Sequence, residues 1–240
     1  KGCERIIRAA FEFARKFGRE KVTVVHKANV VRATDGLFLE TAREVAKDFP
    51  DVAMDDANID AITMWLLKNP FNYDVLVAPN LYGDIVSDLC AQMVGGLGFG
   101  CSGNIGDRLA VFEPTHGSAP KYAGQYKVNP IATFLAAKLM LEWLGETEKA
   151  VALENAVAAV IAGGKTRTYD MGGSSSTLDV AKAVAESPRT ASLHLKLGNA
   201  YEEAQQPAKA LVQWQMVLDL EPDHPQRTEI LGAIERRPAE

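Results

Sequence analysis

The sequence predicts an α/β chain that ends in an all-α helical appendage, and three observations carry that reading. The apolar runs Val22-Thr23-Val24-Val25 and Val75-Leu76-Val77-Ala78 have the length and composition of short strands. Each is followed by a polar cluster and then by apolar residues at helical spacing. After Ser187-Pro188 the composition changes, and only helical periodicity remains.

The elements follow in order. Ile6, Ile7, Ala10, Phe11 and Ala14 recur at helical spacing over residues 3–17, and the strand Val22–Val25 comes next. The polar cluster His26-Lys27-Ala28-Asn29 closes that strand, and Leu37, Ala42 and Val45 mark a second helix from about Asp35 to Asp48. Residues 52–60 are acidic and read as irregular. Ile62, Leu66 and Leu67 suggest a helix that stops before Asn69-Pro70. The second strand, at Val75–Ala78, is closed by Pro79 and Asn80, and Ile85, Leu89 and Val94 fit the helix after it. Gly95-Gly96-Leu97-Gly98-Phe99-Gly100 follows a helix rather than a strand, so it reads as a connection and not as a dinucleotide fingerprint. Leu109-Ala110-Val111-Phe112 is a strand that runs into the loop Glu113–Pro120, and helices follow near 130–144, 147–162 and 177–186. Leu197, Gly198, Tyr201, Ala210, Trp214 and Pro222 then fall at the spacing of a tetratricopeptide repeat, capped by a helix near 226–236. A helical hairpin with no such kinship is the other reading. A lone repeat cannot bury both faces, so it packs on the preceding domain or on a partner.

Composition narrows the function. The 240 residues carry a net charge of -5 with no basic block, which argues against a nucleic-acid partner. No apolar run is long enough for a transmembrane helix, and no membrane association is expected. Lys1-Gly2-Cys3-Glu4-Arg5 has no signal-peptide core, and the three cysteines lack CxxC spacing, so reduced thiols in the cytoplasm are expected. The start without Met suggests a fragment or a processed chain.

The chemistry is most legible in Asn80-Leu81-Tyr82-Gly83-Asp84-Ile85-Val86-Ser87-Asp88. On a helix, residues four apart share a face, so Asp84 and Asp88 point the same way from a strand-to-helix junction. Two hard oxygen ligands suit Mg²⁺ or Mn²⁺. A solvated face or a cap is the commoner use of such a pair, and context must decide.

That context is a resemblance. Val25-His26-Lys27-Ala28-Asn29, Asn80 to Asp88, Gly103-Asn104-Ile105-Gly106-Asp107 and Phe112 to Pro120 together resemble the metal-dependent decarboxylating dehydrogenases of isocitrate, isopropylmalate and homoisocitrate, over roughly residues 1–187. His26 before Lys27 and the wording Asn80 to Asp84 look most like the isocitrate enzymes. The resemblance implies a partial isopropylmalate-dehydrogenase-like fold. Residues 1–93 would be its smaller dimer-interface and catalytic domain, 94–187 part of its larger cofactor-binding domain, and 188–240 the appendage. It further implies a metal held by Asp84 and Asp88 with Asp60 of the neighbouring subunit. Taken without the family, Asp60 reads equally as a helix N-cap.

Lys27 matches the family's proton-transferring lysine, which acts across the dimer interface, and Asn29 is a substrate contact beside it. For the dinucleotide the resemblance points to Glu113, His116, Gly117 and Asn129, with Asp170 on the adenine side. Lys121, Tyr122 and Tyr169 match the marks of enzymes that recognise the 2′-phosphate of NADP, because a cation and phenol hydroxyls suit a phosphate. The arginine expected four residues after Tyr169 is Gly173, so NADP is favoured and NAD stays open. The family's substrate-clamping arginines lie upstream of residue 1. The expected function is oxidative decarboxylation of isocitrate to 2-oxoglutarate, by a homodimer or higher oligomer. Homoisocitrate or isopropylmalate dehydrogenase, or a non-catalytic regulatory subunit whose appendage (188–240) docks a protein partner, are the rivals.

Overall fold

In the computed structural model, strand β1 (Lys21–His26) is buried from Val22 to His26 because both faces are covered. It lies in the middle of a three-stranded parallel sheet, between β2 (Ala53–Asn58) and β3 (Val75–Val77). Val22 and Val24 face α1 (Gly2–Lys16) and α2 (Thr34–Ala46), packing with Ile7, Phe11, Phe38 and Val45. Val25, one residue out of phase, faces α3 (Ile59–Lys68) and α4 (Asn80–Met93) with Ile62, Leu66 and Val86. These elements form one compact unit, Lys1–Gly96, and Leu97–Glu240 form another. The structure describes residues 1–187, 195, 198, 199, 201–203, 205, 207–220 and 222–235.

Strand β2 corrects the reading of residues 52–60 as irregular. Ala-Met-Asp-Asp-Ala-Asn has low strand propensity, and half of its side chains are exposed and none fully buried. It is held instead by a full backbone ladder, Lys21 opposite Ala53 through His26 opposite Asn58, and by one ion pair and one hydrogen bond between side chains across the strands. Lys21 Nζ meets Asp55 at 2.9 Å, and His26 meets Asp56 at 3.0 Å. At the sheet's edge such charges are compatible with a strand that has only one neighbour.

In the second unit, β4 (Cys101–Ile105) and β5 (Ala110–Pro114) form an antiparallel ribbon. The connection read over Gly95–Gly100 holds neither helix nor strand, and β4 begins directly after it at Cys101. Gly103 lies opposite Phe112, and a Cβ there would stand 3.2 Å from that ring, so the glycine makes room for a cross-strand aromatic. Helix α5 (Ile131–Trp143) covers the ribbon and packs on α6 (Thr147–Gly163), which meets α7 (Thr177–Ala185). Ile131, Val157, Val180 and Val184 form this core with Phe99 against them.

The last two described helices, α8 (Pro207–Leu220) and α9 (Arg227–Glu235), enclose Ala210, Trp214, Val217 and Ile230. A Cβ on Gly198 would strike the Trp214 indole, whose Nε1 donates to Asn199 Oδ1 at 3.1 Å. The buried Asn155 of α6 donates to Met216 Sδ at 3.8 Å, so α8 touches the helical layer before it. Pro188 and Leu197 of the sequence pattern lie outside the described residues. Among the described residues, no helix is long and apolar enough to cross a membrane.

Candidate functional site

Because the sheet of the first unit is parallel, its three strands deliver their carboxyl ends to one edge. Helices α2 and α3 leave that edge on opposite faces, so the strand order reverses at β1. Such a switch point is where open α/β sheets place ligands. The residues that follow the three strand ends are Lys27 and Asn29 after β1, Asp60 in the first turn of α3, and Asp84 and Asp88 on α4.

Lys27 Nζ donates to Asp60 Oδ1 at 2.5 Å. The ammonium holds the Asp60 carboxyl below the ordinary carboxylate range. Asp60 is not an N-cap; α3 is preceded by Asn58, with no side-chain cap. Asp84 and Asp88 are both exposed, with Val86 between them turned into the core, so they share the solvent face of α4. Beside Asp84 opens a groove of about 650 Å³ lined by Asp35, Pro79, Asn80 and Gly83, and by Cys3 and Ile6 of α1. Among the described residues no three His, Cys, Asp or Glu side chains gather closely enough to hold a metal ion. Within one chain, then, Asp60 does not join Asp84 and Asp88. Asn29 is exposed.

The sequence reading passed over the groups that position Lys27. Its backbone N–H donates to Asp35 Oδ2 at 2.7 Å, and Asp35 is buried at the start of α2. The Tyr82 phenol of α4 also bonds Asp35 and is pushed above its ordinary value by that bond. One carboxylate thus ties the end of β1 to the helix that carries Asp84. His26 Nδ1 accepts the Ala28 N–H at 3.0 Å, which leaves the proton on Nε2 for Asp56. A histidine directly before the lysine was visible in the sequence; its partner thirty residues away was not.

In the second unit, the buried Asn129 accepts the Ile131 N–H through Oδ1 and donates to Asp170 Oδ2, both at 3.0 Å. Thr168 donates to the other oxygen of Asp170 at 2.5 Å. Gly98 backs this cluster so closely that a Cβ would stand 2.5 Å from Asp170 Oδ2. Glu113 pairs with Asn104 at 3.1 Å, and His116 Nδ1 donates to the Gly117 carbonyl at 2.9 Å, so local bonds hold both side chains.

Lys121, Tyr122 and Tyr169 do come together. The two rings lie 5.9 Å apart, and the Lys121 ammonium is 4.8 Å from the Tyr122 ring centre. The Tyr122 phenol is lowered by Lys121 and by the bond from Tyr169. A fourth member was missed in the sequence. Lys127 Nζ lies 5.2 Å from the Tyr122 ring centre and 4.9 Å from that of Tyr169. Gly124 at φ 73° and Tyr126 at φ 48° turn the chain back to bring it there.

Comparisons with known proteins place the chain in a family. The family model described as isocitrate/isopropylmalate dehydrogenase matches residues 1–184. A 3-isopropylmalate dehydrogenase of Archaeoglobus fulgidus is 50% identical over 182 residues, covering 76% of this chain and 56% of the relative. A probable mitochondrial isocitrate dehydrogenase [NAD] subunit alpha of Caenorhabditis elegans is 50% identical over 181 residues, covering 74% of this chain and 51% of the relative. The crystal structure of isocitrate dehydrogenase from Methylococcus capsulatus matches with a TM-score of 0.75 at 48% identity, over 77% of this chain and 55% of that one. The chain spans about half the length of these relatives.

Proposed function

This chain belongs to the isocitrate/isopropylmalate dehydrogenase family, and from that premise we propose that it takes part in metal-dependent oxidative decarboxylation of isocitrate to 2-oxoglutarate. The observation that carries the proposal is the carboxyl edge of the sheet, where Lys27, Asp60, Asp84 and Asp88 follow three parallel strands.

The donor set fits a hard divalent cation. Asp84 and Asp88 offer exposed oxygens one helical turn apart, and Lys27 occupies only one oxygen of Asp60. Mg²⁺ or Mn²⁺ bound there supplies Lewis-acid stabilisation of the charge that develops on the substrate's oxygens. The family resemblance places Asp60 of a neighbouring subunit beside Asp84 and Asp88, so we read the ligand set as shared between two copies in a homodimer, a reading compatible with the absence of a three-ligand cluster among the described residues of one chain. In that assembly Lys27 and Asp60 travel together, because they are already hydrogen-bonded. Lys27 Nζ holds and passes a proton, Asp60 orients it, and Asp35 fixes the backbone from which it projects. Asn29 is the adjacent substrate contact.

The second unit supplies the dinucleotide's site. When bound, NADP or NAD provides the hydride acceptor. Asn129 and Asp170 hold the adenine side, while Glu113, His116 and Gly117 line the approach to the nicotinamide half. NADP is favoured, because two cations and two phenols meet at Lys121, Tyr122, Lys127 and Tyr169. The appendage is tetratricopeptide-like, a reading that the close approach of Gly198 to Trp214 and the burial of Ala210 support.

The test is turnover of isocitrate, homoisocitrate and 3-isopropylmalate with Mg²⁺, alongside Mn²⁺ binding followed by paramagnetic resonance. We expect isocitrate to be preferred. Asp84→Asn should weaken Mn²⁺ at least about tenfold and cut turnover about a hundredfold or more, since even outer-shell changes cost metal sites this much. A variant that keeps both properties removes the metal assignment, and preference for another acid removes the substrate.

A further inference from the structure

The arginine that the resemblance places four residues after Tyr169 is Gly173, and the fold explains why no side chain stands there. Residues 167–175 form a closed turn: the Gly173 amide donates to the Thr168 carbonyl at 2.9 Å, and the Ser175 amide to the Arg167 carbonyl at 2.8 Å. A Cβ at position 173 would overlap the Arg167 carbonyl oxygen and stand 2.5 Å from the Arg167 Cβ. The turn in this form admits only glycine, so any second cation beside Lys121 comes from another position.

We propose that Lys127 is that cation, a specificity-determining residue that recognises a phosphate monoester on the adenosine ribose together with Lys121, Tyr122 and Tyr169. The proposal rests on the cofactor reading given above and names the group that enforces it. Lys127 projects from a segment pinned on both sides. The Thr177 N–H donates to the Tyr126 carbonyl at 2.7 Å, and the Thr177 hydroxyl to the Val128 carbonyl at 2.5 Å. Tyr126 pays for that placement with a left-handed φ of 48°, a strain of the kind that accumulates at ligand sites. Its result is an ammonium between two phenol rings, within 5.2 Å of both centres. Ring faces hold an exposed ammonium only weakly, so a dianionic phosphate would readily draw both lysines to itself. The carboxylate next to Tyr169, Asp170, is turned to Asn129 and Thr168.

The experiment is calorimetric titration of the protein with adenosine 2′,5′-bisphosphate and with 5′-AMP. The wild type should bind the bisphosphate about tenfold more tightly or better, the scale of one charge-assisted contact. Lys127→Met should abolish that preference while 5′-AMP binding stays within about twofold, and Lys127→Arg should retain it. A preference that survives Lys127→Met, in protein with unchanged circular dichroism, overturns the role of Lys127 and leaves the NADP reading intact. A wild type with no preference overturns both.

Discussion

At the scale of single residues, the site depends on contacts that leave no room for a methyl group. Gly98 lies under the Asn129–Asp170 bond, and an added Cβ would reach 2.9 Å from Asn129 Nδ2 as well as crowding Asp170. Neither partner is free to move, since Asn129 also caps the Ile131 N–H and Asp170 also accepts from Thr168. Gly98→Ala should therefore cost about 1–3 kcal/mol by overpacking, read as a lowered Tm, and should weaken 5′-AMP binding. Unchanged binding would separate Asn129 and Asp170 from the nucleotide. The glycine was legible in the sequence only as part of a connection. Its role depends on residues thirty and seventy positions away that a linear reading does not bring together.

Among the elements, α7 is the one whose start is best specified locally. Ser176 accepts the Asp179 N–H at 3.2 Å, and the Asp179 carboxylate accepts the Ser176 N–H at 2.8 Å, a reciprocal capping box. Ser176→Ala should cost about 1 kcal/mol in denaturant unfolding. The Asp179 carboxyl is held below its ordinary value by the Ser176 N–H and hydroxyl. Its contribution is therefore present above the ordinary carboxylate range and is lost as pH falls through the lowered folded-state value. Asp179→Asn should flatten that part of the acid-unfolding curve. Strand β2 is the contrary case: its backbone ladder to β1 overrides a sequence poor in strand formers, and only the fold could supply it.

For the molecule as a whole, the question is whether the C-terminal helices are joined to the layer before them. Burial and the Glu154 carboxylate of α6 push the Tyr201 phenol up to about 12. A tyrosine whose folded value is raised stabilises the fold fully below its unfolded value near 10, and that support fades as pH climbs toward 12. Ultraviolet titration of the wild type against Tyr201→Phe should identify the late-ionising phenol of Tyr201 apart from the raised phenol of Tyr82. Trp214→Ala, which empties the centre of the appendage's core, should return it toward 10 and cost about 3–5 kcal/mol within that segment. A late phenol that persists in the variant would show that Tyr201 is shielded by something other than this packing.

Local order was enough to reveal a good deal: the strands at Val22 and Val75, the helices around them, and the carboxylate pair Asp84 and Asp88 on one helix face. Each of these follows from periods of two or of three to four residues, which neighbouring positions carry by themselves. Tertiary structure alone decided the rest. It turned an acidic stretch into an edge strand, set His26 against Asp56 and Lys27 against Asp60 and Asp35, closed the turn around Gly173, and brought Lys127 between two tyrosines. Those pairings arise where separate elements meet, and their energies depend on distances that no local periodicity encodes.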